Sequence, residues 1–143
     1  MAYTTIEVVN ILNSYILNSV LMNDPKKPNG KLCKYQRPLN SKLEDVVING
    51  LPINRDIVQT AILNVNIYVL NLEFGGTSTD KSQPDNARIM ALSKLANEAL
   101  GEGNEVWDES GSYCFNIQQD SVLEDVDNQH YINIRVEFYA SNN

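Results

Sequence analysis

His130 is the one imidazole in the chain, so any Ser-His or Cys-His nucleophile pair, and any ring-nitrogen ligand to a metal, has to use it. It closes the run EDVDNQH, behind Glu124, Asp125 and Asp127. Carboxylates and an imidazole in this order could hold a divalent ion, with oxygen donors from an acidic loop at Asp120 to Asp127. An exposed acidic turn ahead of a strand accounts for the same residues without chemistry. FGGTST, Phe74 to Thr79, has the glycines and hydroxyls of a phosphate-cradling loop but lacks the G-x-x-x-x-G-K-[ST] order. Gly101-Glu102-Gly103 follows a helical pattern instead of preceding one, which is the wrong end for an anion. Asp108-Glu109 and Glu124-Asp125 fall on expected loops, where nothing desolvates them. Cys33 and Cys114 lack metal-ligand spacing and read as reduced thiols. No catalytic, cofactor or metal site is predicted, and the weight moves to a structural or interaction role.

Bulk properties narrow the partners. A chain of 143 residues, 43% hydrophobic and 20% charged, is long enough to bury the core of one domain. Its formal charge of −7 and pI near 4.6 argue against gripping a nucleic-acid backbone, which takes clustered basic side chains. The basic clusters, Lys26-Lys27 and Lys31 to Arg37, sit in a Pro/Gly/Asn-rich segment that reads as a solvated loop. An acidic surface beside DNA would act as a wall to which it does not adhere. No apolar run approaches the ~18 residues of a membrane span, and MAYTTIEVVN has neither the basic nor the apolar region of a secretory leader. Asparagine occurs 19 times, spread through every kind of segment, so a single Asn carries no functional signal.

The elements that would position such residues are legible in outline. Thr4-Thr5-Ile6-Glu7 is a capping box, and Val9, Leu12, Ile16 and Val20, flanked by Val8, Ile11 and Leu17, give the helix after it a broad apolar stripe. NDPKKPNGK ends it, and residues 31 to 42 show no period. A short strand follows over Asp45 to Asn49, then a long one over Ile57 to Leu72, in which Leu63, Val65, Ile67 and Val69 alternate with Asn64, Asn66 and Tyr68. A second helix spans Asp85 to Leu100, with Ile89, Leu92, Leu95, Ala96 and Ala99 on its buried face and Gly101 as its stop. Val106-Trp107 and SYCFNIQ precede the acidic loop. In the last strand Ile132, Ile134, Val136 and Phe138 alternate with Asn133, Arg135, Glu137 and Tyr139. Trp107 and the tyrosines read as core or interface anchors. The order predicts an α+β fold: an antiparallel or mixed sheet of about four strands with two amphipathic helices on one face. One domain covers residues 1–143, with flexible loops at about 24–42 and 73–84.

Three segments, YQRPLNSKLEDVVINGLP, DIVQTAILNVNIYV and DNARIMALSKLANEAL, carry a resemblance. In order and character they are similar to the tail-terminator family, the small neck and tail-completion proteins of long-tailed bacteriophages, over roughly residues 4 to 140. The resemblance implies a structural virion protein forming a ring, typically hexameric, at the head-tail junction. Such a ring terminates the tail tube and joins it to the head connector, and genomic DNA passes through the lumen without specific binding. The resemblance implies no enzymatic activity, no cofactor and no membrane. The partners would be further copies of the chain, the tail tube protein and a head connector or neck protein, and the location the virion after assembly in the host cytoplasm. A head-completion ring on the portal side stays open, because the same small folds serve adjacent rings. So does a cytoplasmic metal- or ligand-binding domain using His130 and the Asp120 to Asp127 loop.

One sheet face is committed to the helices. The other, with Asn64, Asn66 and Tyr68 beside Asn133, Arg135 and Glu137, becomes the candidate assembly or lumen surface, against the alternative of a plain solvent-facing sheet. The loop residues Gly75, Gly76, Thr77, Ser78, Thr79 and Asp80 are a candidate partner contact.

Overall fold

The computed structural model describes residues 2–74 and 79–142. Helix α1 (Thr5–Leu17) starts at Thr4, whose hydroxyl accepts the Glu7 amide at 3.3 Å while the Glu7 carboxylate accepts the Thr4 amide at 3.3 Å. Two otherwise unsatisfied donors of the first turn are thereby met. The helix buries Val8, Val9, Leu12 and Ile16. It ends earlier than its apolar spacing suggests, because Ser19 caps a separate turn, α2 (Val20–Asn23), by accepting the Leu21 amide. The break resets the phase: Leu21 enters the core, whereas Leu17 and Val20, expected along the stripe, are exposed.

Strands β1 (Leu32–Lys34), β2 (Val46–Gly50), β3 (Val58–Leu70), β4 (Val106–Trp107), β5 (Tyr113–Asp125) and β6 (Gln129–Ser141) form one sheet in the order β1-β2-β3-β6-β5-β4. Only β1–β2 is parallel. The α+β class stands and the sheet is mixed, one of the two expected arrangements, but it has six strands where about four were expected. Its additions are the two short edge strands, β1 and β4. The acidic stretch is also corrected: Asp120 to Asp125 belong to β5, and the turn is confined to residues 126–128. Asp127 and Asn128 take φ of 61° and 59° there, a left-handed conformation that Asp and Asn tolerate better than most residues.

Period-two alternation fixes the two faces. Leu63, Val65 and Ile67 of β3 lie opposite Val136, Ile134 and Ile132 of β6, and all six are buried against the helices. Helix α3 (Asn86–Ala99) is capped by the Asp85 carboxylate, which accepts the Arg88 amide at 3.1 Å, and it contributes Ile89, Leu92, Ala96 and Ala99 to the same core. It ends at Gly101, where φ is +95° and a Cβ would lie 2.7 Å from the Asn104 carbonyl oxygen.

Residues 24–42, expected as a flexible loop, carry β1 and are fastened by two adjacent carboxylates. Glu44 takes Arg88 of α3 in a bidentate pair, 2.7 Å to each oxygen, and Arg88 also donates to the Lys26 and Lys27 carbonyls at 3.0 and 2.9 Å. Asp45, fully buried, turns the other way and accepts the Lys31 amide and the Arg37 Nε, each at 2.9 Å. Gly30 passes so close that a Cβ there would lie 2.4 Å from the Glu44 carbonyl carbon and 2.5 Å from the Asp45 amide nitrogen. Among the described residues no helix is long and apolar enough to cross a membrane.

Candidate functional site

The side of the sheet away from the helices is where the polar residues of β3 and β6 converge. Asn64 pairs with Arg135, Asn66 with Asn133, Tyr68 with Tyr131 and Ile62 with Glu137. All six sheet residues singled out from the sequence therefore share one face, and each is half-buried. Their amides join into a ladder across three strands: Asn133 Nδ2 donates to Asn66 Oδ1 at 2.7 Å and to Asn64 Oδ1 at 3.2 Å, and Asn64 Nδ2 donates to Asn49 Oδ1 of β2 at 3.0 Å. Amides serve here because each offers both a donor and an acceptor without charge.

The ladder is flanked by two different ends. At one, Tyr68 and Tyr131 stack with centroids 5.3 Å apart, and the Arg37 guanidinium lies 4.1 Å over the Tyr68 ring. Arg37 also donates to Gln129 Oε1 at 2.9 Å, so the loop before β2 is pinned onto this face. Burial, then the nearby Asp125, pushes the Tyr68 phenol up. At the other end Glu137 accepts Gln118 Nε2 and the Tyr139 hydroxyl, each at 2.8 Å. That hydrogen bond is the main reason the Tyr139 phenol is raised.

Arg135 lies between them and is the exception to this mutual satisfaction. Its Nε is buried with no hydrogen-bond partner among the described residues. An unmet buried donor costs the free chain stability. Arg135→Met, which keeps most of the stem and removes that donor, is expected to raise monomer stability by about 1 kcal/mol in urea denaturation. A loss of stability would show that the guanidinium is satisfied in the free chain.

Tyr131, Asn49, Arg37 and Gln118 belong to this face and were not singled out from the sequence. Tyr131 sits two residues before Asn133 and was readable by alternation, whereas the other three join through strand pairing or a loop that only the fold defines. The expected partner-contact loop is only partly placed: Gly75, Gly76, Thr77 and Ser78 lie outside the described residues. Thr79 is exposed, and the Asp80 carboxylate accepts the Ser82 amide at 2.9 Å.

His130 lies on the helix side of the sheet, opposite Val69 and Glu124. Its Nδ1 is 2.6 Å from Asn71 Oδ1, and Asn71 Nδ2 already donates to the Lys81 carbonyl at 2.8 Å. The amide oxygen is thus the acceptor, and Nδ1 carries a proton. Asp125 is on the opposite face of β5 from Glu124, Asp127 is in the turn, and among the described residues no three His, Cys, Asp or Glu side chains gather where one ion could sit. The two thiols are free, on β1 and β5 with three strands between them, about 19 Å apart at the strand spacing and far beyond disulfide reach. Burial raises both. Trp107 is exposed on β4, which removes it from the core.

A concavity of about 720 Å³ lies elsewhere, between the ends of α1 and α3, and Glu98 is the one carboxylate in its lining. The helix-free face offers amide, phenol, guanidinium and carboxylate groups suited to recognising another polar surface. No protein-family model matches the chain, and no curated protein sequence matches it.

Proposed function

We propose that the chain is a structural subunit of a ring at the head-tail junction of a long-tailed bacteriophage, where it terminates the tail tube and joins it to the head connector. The observation that carries this reading is the helix-free sheet face, an amide-paired surface bordered by stacked phenols and a guanidinium. Neutral amides and phenols can meet a neighbouring protein, or line a channel, without the desolvation penalty of unpaired charge. The likeness of three segments to tail terminators supplies the biological frame. Copies of the chain form a ring of about six, with the tail tube protein on one side and a head connector or neck protein on the other. A net charge of −7 suits a lumen through which genomic DNA slides without sticking. The role is structural, without catalysis or cofactor, and the protein belongs to the virion after assembly in the host cytoplasm.

Electron microscopy of the protein mixed with isolated tail tubes tests this directly. The expected image is a ring seated on one end of each tube, with a matching ring mass in native mass spectrometry. A protein that stays monomeric and leaves both tube ends bare would rule the role out.

A further inference from the structure

The two open edges of the sheet carry opposite charge. Six of the 11 Lys and Arg residues fall between Asp24 and Glu44, with no carboxylate among them, in and around β1. Between Lys94 and Arg135 there is no lysine or arginine and there are nine carboxylates, seven of them, Glu105 to Asp127, in and around β4 and β5. Strand order puts Lys31, Lys34 and Lys42, on or beside β1 and β2, at one edge and Asp108, Asp120, Glu124 and Asp127, on or beside β4 and β5, at the other, while Lys26 and Glu98 lie together at α3. A chain of net charge −7 is therefore a dipole whose positive pole is β1.

Both poles face solvent. Lys31, Lys34 and Lys42 are exposed, and of these only Lys34 makes a side-chain hydrogen bond among the described residues, to Asn10 at 2.8 Å. Asp120, Glu124 and Asp127 are exposed at the other pole with no ion pair among the described residues. Beyond the two residues that β4 covers, β5 has β6 on one side and no strand on the other, and β1 has only β2. An edge as long as β5 invites pairing unless charge or irregularity discourages it. β5 has both, a bulge between Ile117 and Gln119 and its carboxylates, which repel a like edge and admit a basic one. Each edge also presents apolar side chains to solvent, Tyr35, Leu39 and Leu43 beside β1, and Trp107, Val122 and Leu123 on β4 and β5. Apolar side chains set among complementary charges make up the usual anatomy of a protein interface.

We propose that the acidic β5 edge of one copy docks on the basic β1 edge of the next, so that copies add head to tail. The two patches differ, so the contact is heterologous, and such a contact closes into a ring when its rotation permits. Closure rests on the ring reading above, and the edge contact leaves the helix-free face with Arg135 for the channel or for the neighbouring tail proteins.

Two charge-reversed chains test it, Lys31→Glu with Lys42→Glu in one, and Asp120→Lys with Glu124→Lys in the other. All four positions are exposed, and a circular-dichroism melt checks that each variant folds. Either variant alone places like charges at the contact, and its mass in sedimentation and native mass spectrometry should fall to the monomer. Mixed one to one, every reversed edge again meets its opposite, and assembly should return with the two chains alternating. Misfolded chains could not give that recovery. The wild-type ring should also loosen as salt shortens the screening length from ~30 Å at 0.01 M to ~3 Å at 1 M. Variants that assemble like wild type, or a mixture of folded variants that stays monomeric, overturn the edge contact. If unaltered rings form and cap tubes despite the reversals, the edge contact falls and the tail role stands. If the mixture assembles but no ring binds a tube, the contact stands and the tail role falls.

Discussion

Phe138→Ala should lower the unfolding free energy by about 4 kcal/mol, the upper part of the range for emptying a packed aromatic site. Phe138 is 1% exposed on β6, stacked on Tyr113 at 5.3 Å and met edge-on by Tyr3 at 6.1 Å. The size of the effect depends on whether those neighbours can fall into the space. Tyr3 cannot do so freely: its amide donates to the buried Gln59 at 2.8 Å, and its carbonyl accepts from the same side chain at 3.1 Å. The backbone at Tyr3 is thereby tied to β3 while its ring covers β6. Urea denaturation at unchanged m-value measures the loss, and a change below about 1 kcal/mol would show that the pocket collapses after all.

Asp45→Ala should cost about 3 kcal/mol and lower Tm by roughly 10 °C. The carboxylate is fully buried, and its removal leaves the Lys31 amide and the Arg37 Nε without an acceptor and the guanidinium without its counter-charge. Asp45→Asn keeps an acceptor for the amide and should lose less. Burial by itself raises the Asp45 carboxyl, but the Lys31 amide, the Ser41 hydroxyl and Arg37 outweigh it and hold it below the ordinary carboxylate value. A folded-state value below the unfolded one, about 3.9, means that the charged form favours folding. That contribution is complete above the unfolded value and disappears as pH falls through the folded one. Acid titration of stability should therefore be shallower in Asp45→Asn than in the wild type across that window, and identical slopes would show that Asp45 is not lowered.

What could be read from the sequence was what is encoded locally. The Thr4–Glu7 box, the Gly101 stop and the alternation in β3 and β6 each rest on neighbours a few residues apart. The six face residues Asn64, Asn66, Tyr68, Asn133, Arg135 and Glu137 were found together for the same reason, since a period of two decides which side of a strand a residue takes. Strands β1 and β4 are too short to show a period and exist because a distant strand accepts them. Asp120 to Asp125 looked like a loop because carboxylates seldom line buried strands. On an edge strand with solvent on both faces that objection lapses. The unmet Arg135 nitrogen and the Arg37–Tyr68 contact depend on register and loop path, which no local pattern contains.

The adjacent carboxylates Glu44 and Asp45 have a consequence for which fold the chain can mistake for its own. A parallel pair of three residues, Leu32 to Lys34 on Val46 to Ile48, offers too little hydrophobic pattern to choose its own alignment. A slip of β2 by one residue against β3 would turn Glu44 toward Arg37 and Asp45, one methylene shorter, toward Arg88, and would move Val46 and Ile48 from the core to the wet face. Two arginines on opposite sides of the sheet thus read two neighbouring acids by length as well as charge. The dipeptide therefore checks alignment at this edge independently of the hydrophobic pattern.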